Sequence, residues 1–266
     1  MLDLHVHALP WVDDGPPDMQ GSVDLVRAAA RDGVRAIVAT PHLRRDFPRV
    51  RPERLALGCE ALRVAVRRAG LGVQILPGSE IDLSWAAEAS AEELRLASLG
   101  QRGRDLLLET PYGPLHDGFE MQVFELAVRG FRVTLAHPER NATLRDDPDR
   151  MAGLVERGVL VQLSSGSLTG DGGPPAVGRF AHELLDRELA HVIASDAHAA
   201  SGGRPPGLSD AVRAAGRSEA RARWMTTAAP AAVVAGKPLP PAPELTARRR
   251  GRRRPSGARR GPGSRP

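Results

Sequence analysis

Short apolar runs alternate with longer amphipathic stretches along most of the chain. Seven apolar runs have the length of strands, at residues 2–6, 36–40, 73–76, 105–109, 132–136, 159–163 and 191–194. Helical patterns lie between them, at residues 22–31, 52–68, 119–129, 149–157 and 177–186. Since strands that alternate with helices build parallel sheets, the pattern predicts an α/β protein. The strands recur roughly every 30 residues, the size of a βα unit, and predict a barrel of seven or eight units.

The same pattern sets the expected domain boundary. Residues 208–224 have a helical pattern, and residues 229–235 predict a short last helix that ends at Gly236. Beyond Lys237 the sequence is mostly Pro, Gly and Arg, with too few apolar residues to offset the entropy lost on folding. We therefore expect one domain over residues 1–240 and a disordered, Arg/Pro/Gly-rich basic tail over residues 241–266.

Charge and cysteine content narrow the possible functions. The net charge is +5, but residues 244–266 hold nine arginines and one acid, and the remaining 28 basic and 31 acidic residues give −3. The single cysteine, Cys59, excludes an internal disulfide and a thiolate zinc site. No apolar run reaches the roughly 20 residues of a membrane helix, and the start lacks the layout of a signal peptide. We expect a cytoplasmic protein that is not an integral membrane protein.

Groups that bind metals follow six of the seven predicted strands. Working residues of barrel enzymes lie at the carboxyl ends of the strands, where these groups would share one rim. The candidate ligands are His5, His7, Asp14, His42, Glu80, Glu109, His137, Asp196 and His198. An isolated His-x-His pair is more often two hydrogen-bonded histidines than a metal site. However, so many buried acids and imidazoles would each cost several kcal/mol without bound cations.

The ligand types and their number indicate the chemistry. Imidazole with carboxylate and no thiolate suits manganese, iron or zinc, and this many ligands predict two or three divalent ions. Clustered ions lower the pKa of a shared water and hold the attacking and leaving oxygens of an in-line displacement, which favours phosphoester hydrolysis. Arg140 and Arg204 follow ligands at the same rim and are predicted to be catalytic, as clamps on phosphate oxygens.

Other nucleophiles fit less well. A cysteine phosphatase loop needs Arg six positions after the cysteine, where this chain has Ala65, so Cys59 is predicted to lie in a helix core. The segment Ser164-Ser165-Gly166-Ser167 lacks a Gly-x-Ser-x-Gly elbow and is predicted to form a small-residue floor of the pocket. The remaining histidines lie away from the rim and are expected to be structural. They are His116, His182 and His191.

A series of motifs, in order from residue 1 to about residue 236, carries a family resemblance. They are Asp3-Leu4-His5-Val6-His7, Val12-Asp13-Asp14-Gly15-Pro16, Ala39-Thr40-Pro41-His42, Gly78-Ser79-Glu80-Ile81, Leu107-Leu108-Glu109-Thr110-Pro111-Tyr112, Ala136-His137-Pro138-Glu139-Arg140-Asn141, Gln162-Leu163-Ser164-Ser165-Gly166-Ser167-Leu168-Thr169-Gly170 and Ile193-Ala194-Ser195-Asp196-Ala197-His198. The chain resembles the PHP (polymerase and histidinol phosphatase) superfamily. Within it, the chain is similar to the bacterial manganese-dependent protein-tyrosine phosphatases linked to capsule and exopolysaccharide synthesis.

The resemblance implies a distorted, TIM-like (β/α)7 barrel with a three-ion site, most often manganese. It also implies a substrate, phosphotyrosine on the C-terminal tail of a tyrosine autokinase. The chain departs from the family at Ala199, where members often have Asn, and in its arginine tail. The implied ligand sets are His5, His7, Glu80 and Asp196; Glu80, Glu109 and His137; and Asp14, His42 and His198, with Arg140 and Arg204 beside the phosphate.

Two alternatives remain. The same barrel and ions could act on a small phosphate ester, such as histidinol phosphate or a nucleotide. Separately, the nine arginines of the tail could give weak, salt-sensitive contact with nucleic acid or an anionic surface, although the tail has no aromatic residue for base stacking.

Overall fold

The computed structural model of the chain describes residues 1–216 and 219–244. Of the predicted tail, residues 245–266 lie outside the described residues, so its disorder and its binding role stay predictions.

Nine strand segments form the sheet of the described residues. They are β1 (Leu2–Val6), β2 (Ala36–Ala39), β3 (His42–Leu43), β4 (Gln74–Pro77), β5 (Glu80–Ile81), β6 (Asp105–Glu109), β7 (Arg132–Ala136), β8 (Leu160–Ser164) and β9 (Val192–Ala194). All seven predicted strands are present. The second and third predicted strands, β2 and β4, are each followed after a break of two residues by a short segment that the prediction did not include, so that β3 continues β2 and β5 continues β4.

The strands close into a distorted seven-stranded parallel barrel. One set is ordered β1-β2-β4 and the other β3-β5-β6-β7-β8-β9, and every pair is parallel. The ring closes between the first and last strands through a parallel bridge from Val6 to Ala197. There, the Asp196 amide donates to the His5 carbonyl at 2.9 Å, and the His7 amide donates to the Ala197 carbonyl at 2.9 Å. The predicted (β/α)7 barrel is confirmed.

Helices surround the barrel in the part of the chain that the structure describes. They are α1 (Met19–Arg31), α2 (Leu55–Arg68), α3 (Leu83–Glu88), α4 (Ala91–Ala97), α5 (Phe119–Val128), α6 (Ala142–Asp146), α7 (Pro148–Glu156), α8 (Ser165–Thr169), α9 (Pro175–Asp186), α10 (Leu208–Ala214), α11 (Glu219–Met225) and α12 (Ala228–Val234). The helical pattern predicted over residues 208–224 corresponds to two helices, α10 and α11. Gly216, with φ of 57°, has the left-handed backbone that ends helices, and α10 and α11 are separate.

The apolar positions that predicted the strands and helices are the ones buried in the core. The strand β6 is buried at all five positions, as expected for a parallel strand covered on both faces. The helix α1 turns Leu25 and Val26 inward and is capped by Asp18, whose carboxylate accepts from the Gly21 amide at 2.7 Å. Full burial of a side chain such as Leu25 contributes about 1.5–3 kcal/mol, so this packing fixes the strand ends that carry the polar rim.

No helix among residues 1–216 and 219–244 has both the length and the apolar character needed to cross a bilayer.

Candidate metal centre

The nine candidate ligands converge at the carboxyl ends of the strands. His5 lies on β1 and His7 directly follows it, and the others lie in the loop after β1, on β3, β5 and β6, directly after β7, or in the loop after β9. Their ligand atoms form four overlapping groups, in each of which all atoms lie within 4.8 Å of one another. The groups are His7, Asp14, His42 and His198; His5, His137 and Asp196; His5, His7 and Glu80; and His42, Glu80 and Glu109.

His5, on β1, and His7, directly after it, point their Nε2 atoms at each other across 3.1 Å. This arrangement follows from their spacing, because residues two apart on a strand leave from the same face. The outer nitrogens are fixed by partners: His5 Nδ1 lies 2.9 Å from Gln162 Oε1, and His7 Nδ1 lies 2.7 Å from Asp13 Oδ2. With Nδ1 engaged in this way, each Nε2 is left to face the centre.

Glu80 lies in the middle of the cluster and is fully buried. Its Oε1 is 2.8 Å from His137 Nε2, while its Oε2 is 3.0 Å from His42 Nδ1 and 3.3 Å from His5 Nε2. Burial alone would raise the pKa of Glu80, but the charge of His5 and the hydrogen bond from His137 outweigh it and hold this pKa well below its usual range. A carboxylate surrounded by imidazoles is therefore kept ionised.

The protons in the cluster are distributed as expected for a site that exchanges protons for cations. Burial opposes protonation of His7, but the hydrogen bond to Asp13 and the negative charges of Asp13 and Glu80 raise its pKa to about 10. The pKa of Glu109 is raised, first by burial and then by the nearby charge of Glu80. Metal ions bind neutral imidazole and ionised carboxylate, so a bound cation would take the place of these protons.

Several buried polar atoms of the cluster lack a hydrogen bond even though they lie close to other ligands. Such atoms cost about 1–3 kcal/mol each when left unsatisfied. They are His42 Nδ1, Glu80 Oε2, Asp196 Oδ1 and His198 Nε2. Each is an imidazole nitrogen or a carboxylate oxygen, which are ligand atoms for manganese, iron or zinc, and each belongs to a candidate ligand. The residues present therefore fit a set of divalent cations.

Two of the candidates adopt left-handed backbone conformations. His137 has φ of 37° and Asp196 has φ of 55°, values that are uncommon for residues other than glycine. Such conformations cost about 1–3 kcal/mol and persist where the surroundings impose them. His137 directly follows β7 and Asp196 lies two residues after β9, so the turn of the backbone sets the direction in which the two ligand side chains leave the barrel.

The two predicted arginines lie at the mouth of the cluster and share Asp196 as a partner. Arg140 Nη1 and Arg204 Nη1 donate to Asp196 Oδ2 at 2.7 and 3.0 Å. Arg140 also donates to Ser164 Oγ at 3.1 Å, and Arg204 to Asp14 Oδ2 at 3.2 Å. Together with small residues of α8 they line a cavity of about 440 Å³. Ser165 and Gly166 of the predicted small-residue floor line this cavity, and both guanidinium groups lie beside candidate ligands, so their role as phosphate clamps stays a prediction.

Three residues with direct roles in this arrangement were missed by sequence reasoning. Asp13 orients His7, Gln162 contacts His5, and Arg44 Nη1 donates to Glu109 Oε1 at 3.1 Å. Asp13 could have been found as the neighbour of a candidate ligand, and Arg44 by its spacing of two from His42 on an extended segment. Gln162 carried no signal beyond its place in a strand.

Residues expected to be structural do lie apart from the cluster. His116 Nδ1 accepts from the Gly118 amide, His191 Nδ1 accepts from the Val161 amide, and His182 Nε2 lies 3.3 Å from the Leu168 carbonyl. Cys59 is buried in α2, and burial raises the pKa of its thiol to about 12. The predicted exclusion of Cys59 from the chemistry agrees with this position.

Comparison with known proteins agrees with the geometry. The pattern of the family described as "Capsular polysaccharide synthesis, CpsB/CapC" matches residues 1–232. The tyrosine-protein phosphatase YwqE of Bacillus subtilis is 34% identical over 198 residues, which are 74% of this chain and 77% of that relative. The tyrosine-protein phosphatase CpsB of Streptococcus pneumoniae is 28% identical over 221 residues, 79% of this chain and 88% of that relative.

A solved structure extends the similarity to the fold. It is described as belonging to YwqE from Bacillus subtilis and CpsB from Streptococcus pneumoniae, "unique metal-dependent tyrosine phosphatases". The two folds superpose with a TM-score of 0.80 at 29% identity, over 93% of this chain and all of the other. The family predicted from the motifs is thereby confirmed: the chain belongs to the CpsB/CapC family of capsular polysaccharide synthesis proteins.

Proposed function

We propose that this chain is a metal-dependent tyrosine-protein phosphatase that acts in capsular or exopolysaccharide synthesis. The observation that carries the proposal is the cluster of buried imidazoles and carboxylates, several of them without hydrogen bonds, beneath two guanidinium groups. The relatives described as tyrosine-protein phosphatases supply the substrate class.

For the ions we propose three sets, with manganese as the metal and iron or zinc as alternatives. The set of Asp14, His42 and His198 is supported by the group in which their ligand atoms lie together with His7. The other two sets share Glu80, whose oxygens lie 2.8 Å from His137 Nε2 and 3.3 Å from His5 Nε2. The other two sets are His5, His7, Glu80 and Asp196, and Glu80, Glu109 and His137.

When bound, the ions would supply an activated water and positive charge for an in-line displacement at phosphorus. The side chains of this protein would do the positioning. Arg140 and Arg204 already lie side by side on Asp196 and would bind the non-bridging phosphate oxygens in pairs. Tyr112, 62% exposed and with its ring centroid 6.4 Å from that of His137, would offer a face to the phenyl ring of the substrate.

The finer parts of the proposal concern partner and place. We propose that the phosphotyrosine lies in the C-terminal tail of a tyrosine autokinase and that the protein works in the cytoplasm. Dephosphorylation of a purified autokinase tail, and the cell fraction in which the native protein is found, would test each part separately.

The activity is tested by metal analysis of the purified protein together with hydrolysis of a phosphotyrosine peptide. We expect two or three bound ions, turnover that requires them, and complete loss with a chelator. Glu80→Gln should abolish both metal binding and turnover, because it removes the shared carboxylate. The matched control is Glu156→Gln, an exposed position on α7, which should leave both unchanged. Metal-loaded protein that ignores the peptide but hydrolyses histidinol phosphate would instead support the small-ester alternative.

A further inference from the structure

A second depression, of about 740 Å³, lies beside the metal centre and is largely apolar. Its walls come from the loop after β1 and from the first turns of α2. Two large apolar side chains in these walls are left open to solvent: Trp11 is 58% exposed and Leu57 is 73% exposed. A single exposed apolar residue is ordinary, but two that line one cavity of this volume indicate a surface that something covers.

The groove is continuous with the candidate ligands along the chain. Leu9 and Trp11 follow His7 and precede Asp14, and Pro41 directly precedes His42. Trp11 is held in a left-handed conformation, φ 64°, while its amide donates to the Pro16 carbonyl at 3.1 Å. A bulky residue kept exposed in such a backbone is uncommon and marks a position with a use beyond packing.

The rim of the groove is positively charged, and part of that charge has no partner. Arg49, Arg51 and Arg54 line the groove together with one acid, Glu53. Arg49 donates to the Trp11 carbonyl at 3.2 Å. The guanidinium groups of Arg51 and Arg54 make no hydrogen bond or ion pair with any described residue. By contrast, the neighbouring Arg44 and Arg45 are both paired with acids.

We propose that this groove binds the segment of the protein substrate that flanks the phosphotyrosine. A bulky apolar side chain of that segment packs against Trp11 and Leu57, and its Asp or Glu side chains pair with Arg51 and Arg54. This inference rests on the proposed function and adds a preference for acidic, apolar sequence around the target residue. Charge complementarity between the arginines of the rim and acidic side chains favours this substrate segment as the ligand of the groove. It also disfavours the chain's own residues 244–266, whose nine arginines have the same sign as the rim.

The test measures kcat/KM of the metal-loaded protein on three substrates. The first is p-nitrophenyl phosphate, the second a phosphotyrosine peptide flanked by Leu and Asp, and the third the same peptide with Gly and Ser flanks. We expect the Leu/Asp peptide to exceed the Gly/Ser peptide about tenfold, from two exposed ion pairs and one buried apolar contact. The variant Arg51→Glu/Arg54→Glu and, separately, Trp11→Ala should each remove most of that preference. Turnover of p-nitrophenyl phosphate should stay within about twofold, since it does not reach the groove.

The matched control is Arg68→Glu, at the end of α2, an exposed arginine that has no partner among the described residues and does not line the groove, and it should keep the full preference. The proposal is overturned if wild type does not prefer the Leu/Asp peptide, if the preference survives both groove variants, or if p-nitrophenyl phosphate turnover falls as much as peptide turnover. It is also overturned if the groove variants convert a dimeric wild type to a monomer, because a second copy then covers the groove.

Failure of the proposed function has a different outcome. In that case the metal-loaded wild type hydrolyses neither peptide, whether or not it hydrolyses p-nitrophenyl phosphate. The groove is then judged by direct binding of the labelled Leu/Asp peptide. Binding that is weakened by Arg51→Glu/Arg54→Glu supports the groove, and equal binding to wild type and variant overturns it.

Discussion

Asp13 is the residue whose replacement tests the metal centre most sharply, because it contacts a candidate ligand without being one. Its buried carboxylate lies 2.7 Å from His7 Nδ1 through Oδ2, and the same oxygen accepts from the His42 amide at 3.1 Å. Its other oxygen, Oδ1, accepts from the Gly15 amide at 3.1 Å. All three neighbours are donors, so Asp13→Asn must direct its NH2 group at a donor in either orientation of the amide.

The expected loss follows from these contacts. The substitution removes at least one hydrogen bond to a charged group, each of which contributes about 1.5–3 kcal/mol. Freed from Asp13, His7 can rotate or keep its proton on Nε2, the atom that faces the centre. We therefore expect the affinity for manganese to fall about 10- to 100-fold, as for other residues that orient metal-binding histidines.

Calorimetric titration of chelator-treated protein with manganese measures the change directly, and the metal dependence of phosphotyrosine-peptide turnover measures it independently. With saturating metal, Asp13→Asn should recover most of its kcat. The control is Asp18→Asn, the same change at the start of α1, where Asn caps a helix as well as Asp does. If Asp13→Asn binds manganese as tightly as Asp18→Asn, the orienting role of Asp13 is refuted.

Four other predictions concern catalysis, protons and stability. Arg140→Lys should lower kcat/KM about 100-fold without changing metal content, because Lys cannot keep the contacts of a planar fork; a change below threefold would contradict the clamp. With the pKa of His7 at about 10 in the metal-free protein, metal affinity should rise with pH from 7 to about 10. Calorimetry in buffers of different ionisation enthalpy should then detect proton release, and none would argue against His7 as a ligand. Burial, with the charge of Arg221, lowers the pKa of His191 to about 4, so the unfolded chain binds the extra proton. Stability worth about 3 kcal/mol should be present above pH 6.5 and lost as pH falls to about 4, and urea unfolding of His191→Gln should lack this loss. Cys59→Ala should keep full phosphatase activity at a stability cost of about 1 kcal/mol, and inactivation would restore a role for the thiol.

The sequence was sufficient for the strands and for the ligands because a parallel barrel converts order along the chain into position on a rim. Each apolar run ends in a polar residue, and the carboxyl ends of all strands face the same way. His42 and Glu80 could therefore be placed beside His5 although many residues separate them. The strand interruptions before these two ligands, which set β3 and β5 apart, were not visible in the apolar pattern.

What sequence could not supply depends on loops and side-chain direction. Asp13 and Asp14 are neighbours that the sequence alone does not distinguish. In the structure, Asp13 lies 2.7 Å from His7 Nδ1 but belongs to none of the ligand groups, whereas Asp14 belongs to the group of His7, His42 and His198. The groove was missed because Trp11 and Leu57 come from segments 46 residues apart, which only the folded barrel brings together. The break between α10 and α11 was missed because the amphipathic pattern continues across Gly216, whose backbone conformation ends the first helix.

The contact between β1 and β9 can form only near the end of the protein's synthesis, because it joins the first and last strands of the barrel. His5 is made almost at once, but Asp196 follows 191 residues later, so a ribosome-bound chain cannot assemble this corner of the centre until nearly the whole barrel has emerged. If the proposed ions bind only once His5 and Asp196 are together, metal uptake would require the closed ring. Ions bound only by the closed form would stabilise that form by mass action and so hold the two ends of the barrel together. When they are removed, amide exchange should rise first at Val6 and Ala197, where the two ends of the barrel meet.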